Sequence, residues 1–135
     1  QPDQHIISLF KDQVVGYCLV MSPIWRNELE VLKSMFDKIE STKYKNNLIS
    51  PDSYIVVGQV CIHKDHRKKS LLRKMYKHYK ECLSPSYQYC ITEIATSNVR
   101  SLHAHEANGF KHLLSYKSED GKSWELVIWD WSEFN

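Results

Sequence analysis

Residues 60–76 read VCIHKDHRKKSLLRKMY, from Val60 to Tyr76. The first three close a run that starts at Tyr54 (YIVVGQVCI), almost all of it β-forming. Such a run suits a strand buried on both faces. His63–His66 is a polar turn. A helix is then predicted over Arg67–Leu83. Its apolar residues Leu71, Leu72, Met75, Tyr76, Tyr79, Cys82 and Leu83 recur at helical spacing, with Lys and Arg on the other faces. Ser84-Pro85 stops it, and Tyr87–Ala95 (YQYCITEIA) reads as the next strand. Strand, helix and strand in this order make a right-handed crossover with parallel strands. The turn itself is a place to hold anions, because the first helical N–H groups lack partners and the helix dipole is positive there. Lys68, Lys69 and Arg73 add full charges, which suits a pyrophosphate. The plainer alternative is a solvated basic helix face.

Outward from this unit the ends read as hairpins. His5–Phe10 and Val14–Met21 are strands about the polar turn Lys11–Gln13. Pro23 ends the pair, and an amphipathic helix is predicted over 24–39 from Ile24, Leu29, Leu32, Phe36 and Ile39. Residues 41–53 are polar and read as a loop. After Ala95, Asn98–Asn108 reads as a short helix with Gly109 at its left-handed cap. Lys111–Tyr116 and Trp124–Trp131 are strands about Asp120-Gly121, a hairpin signal. The order β-β-α-β-α-β-α-β-β gives an α/β (α+β) fold: a mixed, mostly antiparallel sheet around one parallel β-α-β unit.

The chain has 135 residues, which makes residues 1–135 a single domain. Its 42% hydrophobic and 25% charged content is ordinary for a globular protein. No apolar run approaches the roughly 20 residues that span a bilayer, so no membrane role is expected. The net charge of +2 demands no polyanionic partner. Lys64 to Lys80 nevertheless hold a basic block, which leaves a nucleic-acid role as the weaker reading; Tyr76 and Tyr79 sit on the apolar stripe, not where bases could stack. Cys18, Cys61, Cys82 and Cys90 are not spaced as CxxC and read as buried thiols of a reducing, cytoplasmic protein. His63-x-x-His66 and His103-x-His105 lack completing ligands, so no metal is expected.

Segment Val60–Tyr76 resembles the acetyl-coenzyme A signature of the GNAT (GCN5-related N-acetyltransferase) superfamily, in which an apolar strand and short turn precede Arg/Gln-x-x-Gly-x-Gly/Ala. Arg67 matches the first position; Ser70 and Leu72 stand where the glycines usually do. A second segment, NVRSLHAHEANGF from Asn98 to Phe110, resembles the family's Asn-x-x-(Ala/Ser)-…-(Tyr/His)-x-x-x-Gly-Phe element, with Asn98, Ser101, His105, Gly109 and Phe110 in register. The resemblance runs from about Val14 to Trp131. The family's N-terminal strand and helices, which shape the acceptor pocket, are missing. A fragment, a processed form or a shortened variant is expected, with the 24–39 helix filling part of their role.

The resemblance implies acetyl transfer from acetyl-CoA, as co-substrate, to a primary amine of a small molecule or protein. Val60, Cys61 and Ile62 would lie along the pantetheine and acetyl group. Arg67, Lys68, Lys69, Ser70, Leu71 and Leu72 would wrap the pyrophosphate. Asn98 would bond the pantetheine arm, with Ser101 beside it. His105 stands where many relatives carry a Tyr that protonates the leaving thiolate; packing or capping within its helix is the alternative. Glu93, charged within a β-forming run, is the candidate base, or else a rim carboxylate paired with Lys or Arg. His63 and His66 are weaker candidates for the same work. A catalytically degenerate module that binds coenzyme A or a protein partner competes with the enzyme reading, and a homodimer is compatible with either.

Overall fold

The computed structural model describes residues 6–10, 13–21, 30–62 and 71–132, with side chains over 33–58 and 71–132. The elements are β1 (Ile6–Phe10), β2 (Gln13–Met21), α1 (Glu30–Glu40), β3 (Lys43–Tyr44), β4 (Asn47–Leu48), β5 (Tyr54–Ile62), α2 (Leu71–Leu83), β6 (Tyr89–Ala95), α3 (Val99–Ala107), β7 (Lys111–Lys117) and β8 (Ser123–Asp130). Six strands form one sheet in the order β1-β2-β5-β6-β8-β7. Among the described residues, only β5 and β6 pair in parallel. The mixed, mostly antiparallel sheet around one parallel unit is therefore present.

Both faces of this sheet are covered, which is why Tyr54–Val57 are all buried despite alternating sides. On one face α1 lays Met35, Phe36 and Ile39 over Tyr54, Val56, Ile91, Leu126 and Ile128. On the other, α2 lays Met75, Tyr76, Tyr79 and Leu83 over Ile55, Val57, Cys90, Ile94 and Val127. Each helix repeats its buried residues at one helical turn (Met35 and Phe36 to Ile39; Met75 and Tyr76 to Tyr79 to Leu83), so one stripe meets the sheet.

Three sequence expectations change. Residues 41–53 are not simply a loop, because β3 and β4 make a small hairpin whose turn residues Lys45 and Asn46 both have positive φ (53° and 72°). That geometry matches the twist of a tight two-residue hairpin. It is anchored when Tyr44 donates to Asp130 (2.9 Å) and Lys45 pairs with the same buried carboxylate (3.2 Å). Burial alone would raise the Asp130 carboxyl; bonds from Ser132, Tyr44 and Lys45 outweigh it and hold the group below its usual range. Second, Tyr87 and Gln88 precede β6 instead of beginning it: Tyr87 N–H still donates to Leu83 as part of the helix end, and Gln88 N–H donates to Ser53. Third, Cys82 is exposed, its sulfur 3.6 Å from His78 Nε2; the buried stripe of α2 runs through Tyr79 and Leu83 and leaves position 82 outside. Cys90 is buried as expected.

Two expected turn glycines have the positive φ that only glycine adopts cheaply: Gly109 (102°) after α3 and Gly121 (86°) in the β7–β8 hairpin. Expectations for 1–5, 11–12, 22–29 and 63–70, including the His63–His66 turn, fall outside the described residues. Among the described residues, no helix is long and apolar enough to cross a membrane.

Candidate active site

The parallel pair is short. β5 and β6 share register only from Tyr54↔Tyr89 to Val57↔Thr92. Beyond it β5 follows β2 as far as Ile62↔Gly16, while β6 follows β8 as far as Ala95↔Trp124. Two local features mark the parting. A register shift in β2–β5 places an extra residue on β5 around Gly58, and such a bulge bends its strand. At the last shared pair, the Thr92 hydroxyl donates to the Val57 carbonyl (3.1 Å). Gly58–Ile62 and Glu93–Ala95 thus form the two sides of a slot in the middle of the sheet. Val60, Cys61 and Ile62 lie along one side; Glu93 opens the other.

α2 begins at Leu71 and carries no acidic residue in its first turn. Arg73 and Lys74 are exposed there. Leu71 and Leu72 are half-buried and pack against the core under the helix, so the leucine in the second glycine position turns inward. Arg67, Lys68, Lys69 and Ser70 lie outside the described residues.

α3 carries the second motif. Asn98 is its N-cap: Oδ1 accepts from the Ser101 N–H (3.2 Å), the bond that an Asn in this position supplies to an unpaired helical donor. Ser101 in turn presents its carbonyl to His105 Nδ1 at 2.8 Å, with its hydroxyl at 3.3 Å from the same nitrogen. A carbonyl only accepts, so Nδ1 carries the proton. The other nitrogen, Nε2, then accepts from the Tyr76 hydroxyl (2.8 Å). The ring is 5% exposed and stands among Tyr76 and Phe110, which meet it at 5.4 and 5.1 Å. Burial pushes its pKa down, and the backbone bond to Ser101 offsets only part of that. His105 is therefore a neutral, doubly bonded imidazole joining α3 to α2.

Glu93 stands on the opposite face. Tyr89 and Ile91, which precede it at alternate positions on β6, belong to the α1-side core. Its Oε2 accepts from the Tyr116 hydroxyl of β7. Lys38 of α1 stands over the Tyr116 ring, 4.9 Å from its centre, and donates to Ser34 Oγ at 3.0 Å. Burial raises the Glu93 carboxyl above its ordinary range, and the Lys38 ammonium offsets only part of that. Beside Lys38, α1 and Glu119 enclose a depression of ≈ 550 Å³ lined also by Lys33, Ser34, Asp37 and Ser41. On the α3 side a second cleft of ≈ 500 Å³ lies over Leu102, Phe110 and Val127. His103 is exposed while His105 is buried, and among the described residues no group of three His, Cys, Asp or Glu could hold a metal.

The sequence reading missed Tyr116 and the bond between Tyr76 and His105. A Tyr on a buried stripe signals the second, since its hydroxyl needs a partner. The first pairs strands β6 and β7, which are separated by β8, and no short-range pattern carries that information.

No protein-family profile matches the sequence, and no curated protein does. Solved structures match in shape. The ribosomal-protein-S18-alanine N-acetyltransferase of Escherichia coli aligns over 98% of this chain and 72% of its own, at TM-score 0.64 and 12% identity. A putative acetyltransferase from Salmonella typhimurium, with its cofactor acetyl-CoA, aligns over 98% and 67%, at 0.65 and 15%. A GNAT family acetyltransferase from Elizabethkingia anophelis with acetyl-CoA bound aligns over 95% and 76%, at 0.65 and 8%. The chain thus shares the fold of these acetyltransferases.

Proposed function

We propose that this chain, as a single domain, transfers an acetyl group from acetyl-CoA to a primary amine of a small molecule or a protein. The observation that carries the reading is the slot between β5 and β6, with an ionisable carboxyl on one face of the sheet and an imidazole-bearing helix on the other. A through-sheet slot lets donor and acceptor arrive from opposite faces. The α2–α3 face suits the cofactor: the start of α2, with exposed Arg73 and Lys74 and no acidic residue in its first turn, would offer N–H groups and cations to phosphates. Leu72 does not oppose this, since it packs inward.

The bound thioester would supply an activated acetyl carbon. Backbone N–H groups of Val60–Ile62 would polarise its carbonyl. Glu93, on the α1 face, would take the proton that the amine loses as its nitrogen bonds to that carbon. Burial keeps the carboxyl more basic than an exposed one, as a base near neutral pH requires. The C–S bond would break as the C–N bond forms, and the leaving thiolate would take a proton from solvent, to which Glu93 gives up the proton it took from the amine. His105 enters this step only with Tyr76, because Nε2 accepts the Tyr76 hydroxyl and Nδ1–H is committed to Ser101. The acceptor would come over the α1 depression beside Lys38.

A second reading, the degenerate module that binds coenzyme A or a partner protein, draws on that same commitment of both His105 nitrogens. Calorimetric titration with acetyl-CoA, followed by thiol release with spermidine or a lysine peptide as acceptor, separates the two. Micromolar binding with thiol release is expected for the enzyme. Binding without release leaves the module, and no binding by folded protein removes the coenzyme A site.

A further inference from the structure

Glu93 does not stand alone in its pocket, and its surroundings have a directional order. Lys38 is fixed by Ser34 one turn earlier on α1 (3.0 Å). Its ammonium sits over the face of Tyr116, where the ring's negative quadrupole attracts a cation. The hydroxyl at the far end of that ring donates to Glu93 Oε2. Tyr116 packs into the α1-side core, so its ring cannot swing freely. β8, between β6 and β7, brings the apolar Leu126 opposite Glu93. Among the described residues, the charged or titratable groups brought to Glu93 are thus Lys38 from α1 and Tyr116 from β7.

We propose that Tyr116 is a positioning residue for Glu93, holding Oε2 so that the acceptor amine's proton goes to Oε1, with Lys38 holding the Tyr116 ring in place. This rests on the transferase reading above. A base must be ionised to accept a proton, and burial of Glu93 works against ionisation. A hydroxyl that donates to the carboxylate favours the charged form. It also removes one of two oxygens from competition, which converts a rotating carboxylate into an oriented one. Tyr116 touches neither substrate in this scheme; it acts only through Glu93.

The test uses the full chain labelled with ¹³C at glutamate side chains, with Glu93→Gln to assign the Glu93 signal. In Tyr116→Phe, which keeps the packed ring and removes only the oxygen, Glu93 titrates at higher pH than in wild type. Lys38→Met moves it in the same direction by removing a nearby positive charge and shows the effect of charge alone; if the Phe variant does not fold, Tyr116→Leu also removes the hydroxyl and serves in its place. With spermidine as the probe acceptor, Tyr116→Phe shifts the acidic limb of kcat/KM to higher pH. Rates fall roughly five- to tenfold within that limb, the scale of one lost hydrogen bond to a charged group, and recover above it. Unmoved Glu93 titration on loss of the Tyr116 hydroxyl overturns the proposal, whatever Lys38→Met or transfer shows. Failure of the wild type to bind acetyl-CoA sinks the transferase reading instead and leaves the titration result standing.

Discussion

The two faces of the sheet treat their ionisable groups in opposite ways. On the α2–α3 face, His105 is sealed among aromatic rings, carries no net charge and has both nitrogens bonded. On the α1 face, Glu93 is only partly buried, leans on one hydroxyl and feels a nearby ammonium. The first arrangement is what a structure does with a polar group it must bury: satisfy every donor and acceptor. The second keeps a carboxyl dry enough to be basic and wet enough to exchange protons. In the proposed reaction Glu93, noticed as a charge within a β-forming run, takes the amine's proton, and His105, the residue the resemblance nominated, acts only together with Tyr76.

The sharpest way to break this comparison is Glu93→Gln. General-base removal lowers turnover by about 10²–10⁴-fold, so thiol release with spermidine should fall into that range while acetyl-CoA affinity holds. The same variant should melt at a higher temperature at pH 7.5, because it removes the cost of burying an ionised carboxylate. Wild-type turnover in Glu93→Gln would take the α1 face out of the chemistry.

Gly109→Ala attacks the sealed face. Gly109 has φ of 102°, and an added Cβ would lie 2.7 Å from Trp129 Nε1. Strain and overpacking together should cost about 2–5 kcal/mol in denaturant unfolding. Trp129 belongs to the ring cluster around Tyr76 and Phe110, so the loss should be accompanied by altered Trp fluorescence. A cost below about 1 kcal/mol would mean that the face yields easily, since ordinary surface changes fall within that range.

Tyr76→Phe is milder. It keeps the ring and leaves His105 Nε2 without its donor. A buried acceptor left unsatisfied costs about 1–3 kcal/mol. If the pair is only a clamp between α2 and α3, stability falls and the pH profile of turnover keeps its shape. If the pair returns the thiolate proton, the basic limb of the profile moves as well.

How much of this was legible beforehand differs between the faces in the same way. The α2–α3 side is built of sequence-local signals. The 54–62 run, the α2 stripe, Asn98 three residues before the N–H it caps, and Gly109 after the helix all act within a turn or two, so patterns reveal them. The slot was legible only as far as the parallel unit. The parting of β5 from β6 after Val57 is marked by a bulge near Gly58 and by one threonine hydroxyl, and neither announces itself in a β-forming run. The partners of Glu93 come from α1 and from β7, across an intervening strand. Tyr116 and Lys38 look like ordinary strand and helix-surface residues until the sheet order is known. The hairpin at 43–48 was hidden for a similar reason: Lys45-Asn46 is a weak turn pair, and its anchor Asp130 is distant in sequence.

The smallest effect is also the most direct comparison of the faces. His105 has its folded pKa pushed below the unfolded value of about 6.5, so as pH falls through about 6.5 the unfolded chain takes up a proton first and stability is lost. Glu93 has its folded pKa raised above the unfolded value of about 4.3. Its contribution is complete below about 4.3 and is lost as pH rises from there through the folded pKa. The two faces should therefore impose opposite pH slopes on folding. In urea unfolding between pH 4 and pH 8, His105→Gln should flatten the acid-side loss relative to wild type, and Glu93→Gln should flatten the loss on the way up. Each variant should leave the other's slope in place, since the sheet separates the two groups and distant sites add. If either substitution alone removes both slopes, the faces are coupled through the slot, and assigning one to packing and the other to chemistry would no longer hold.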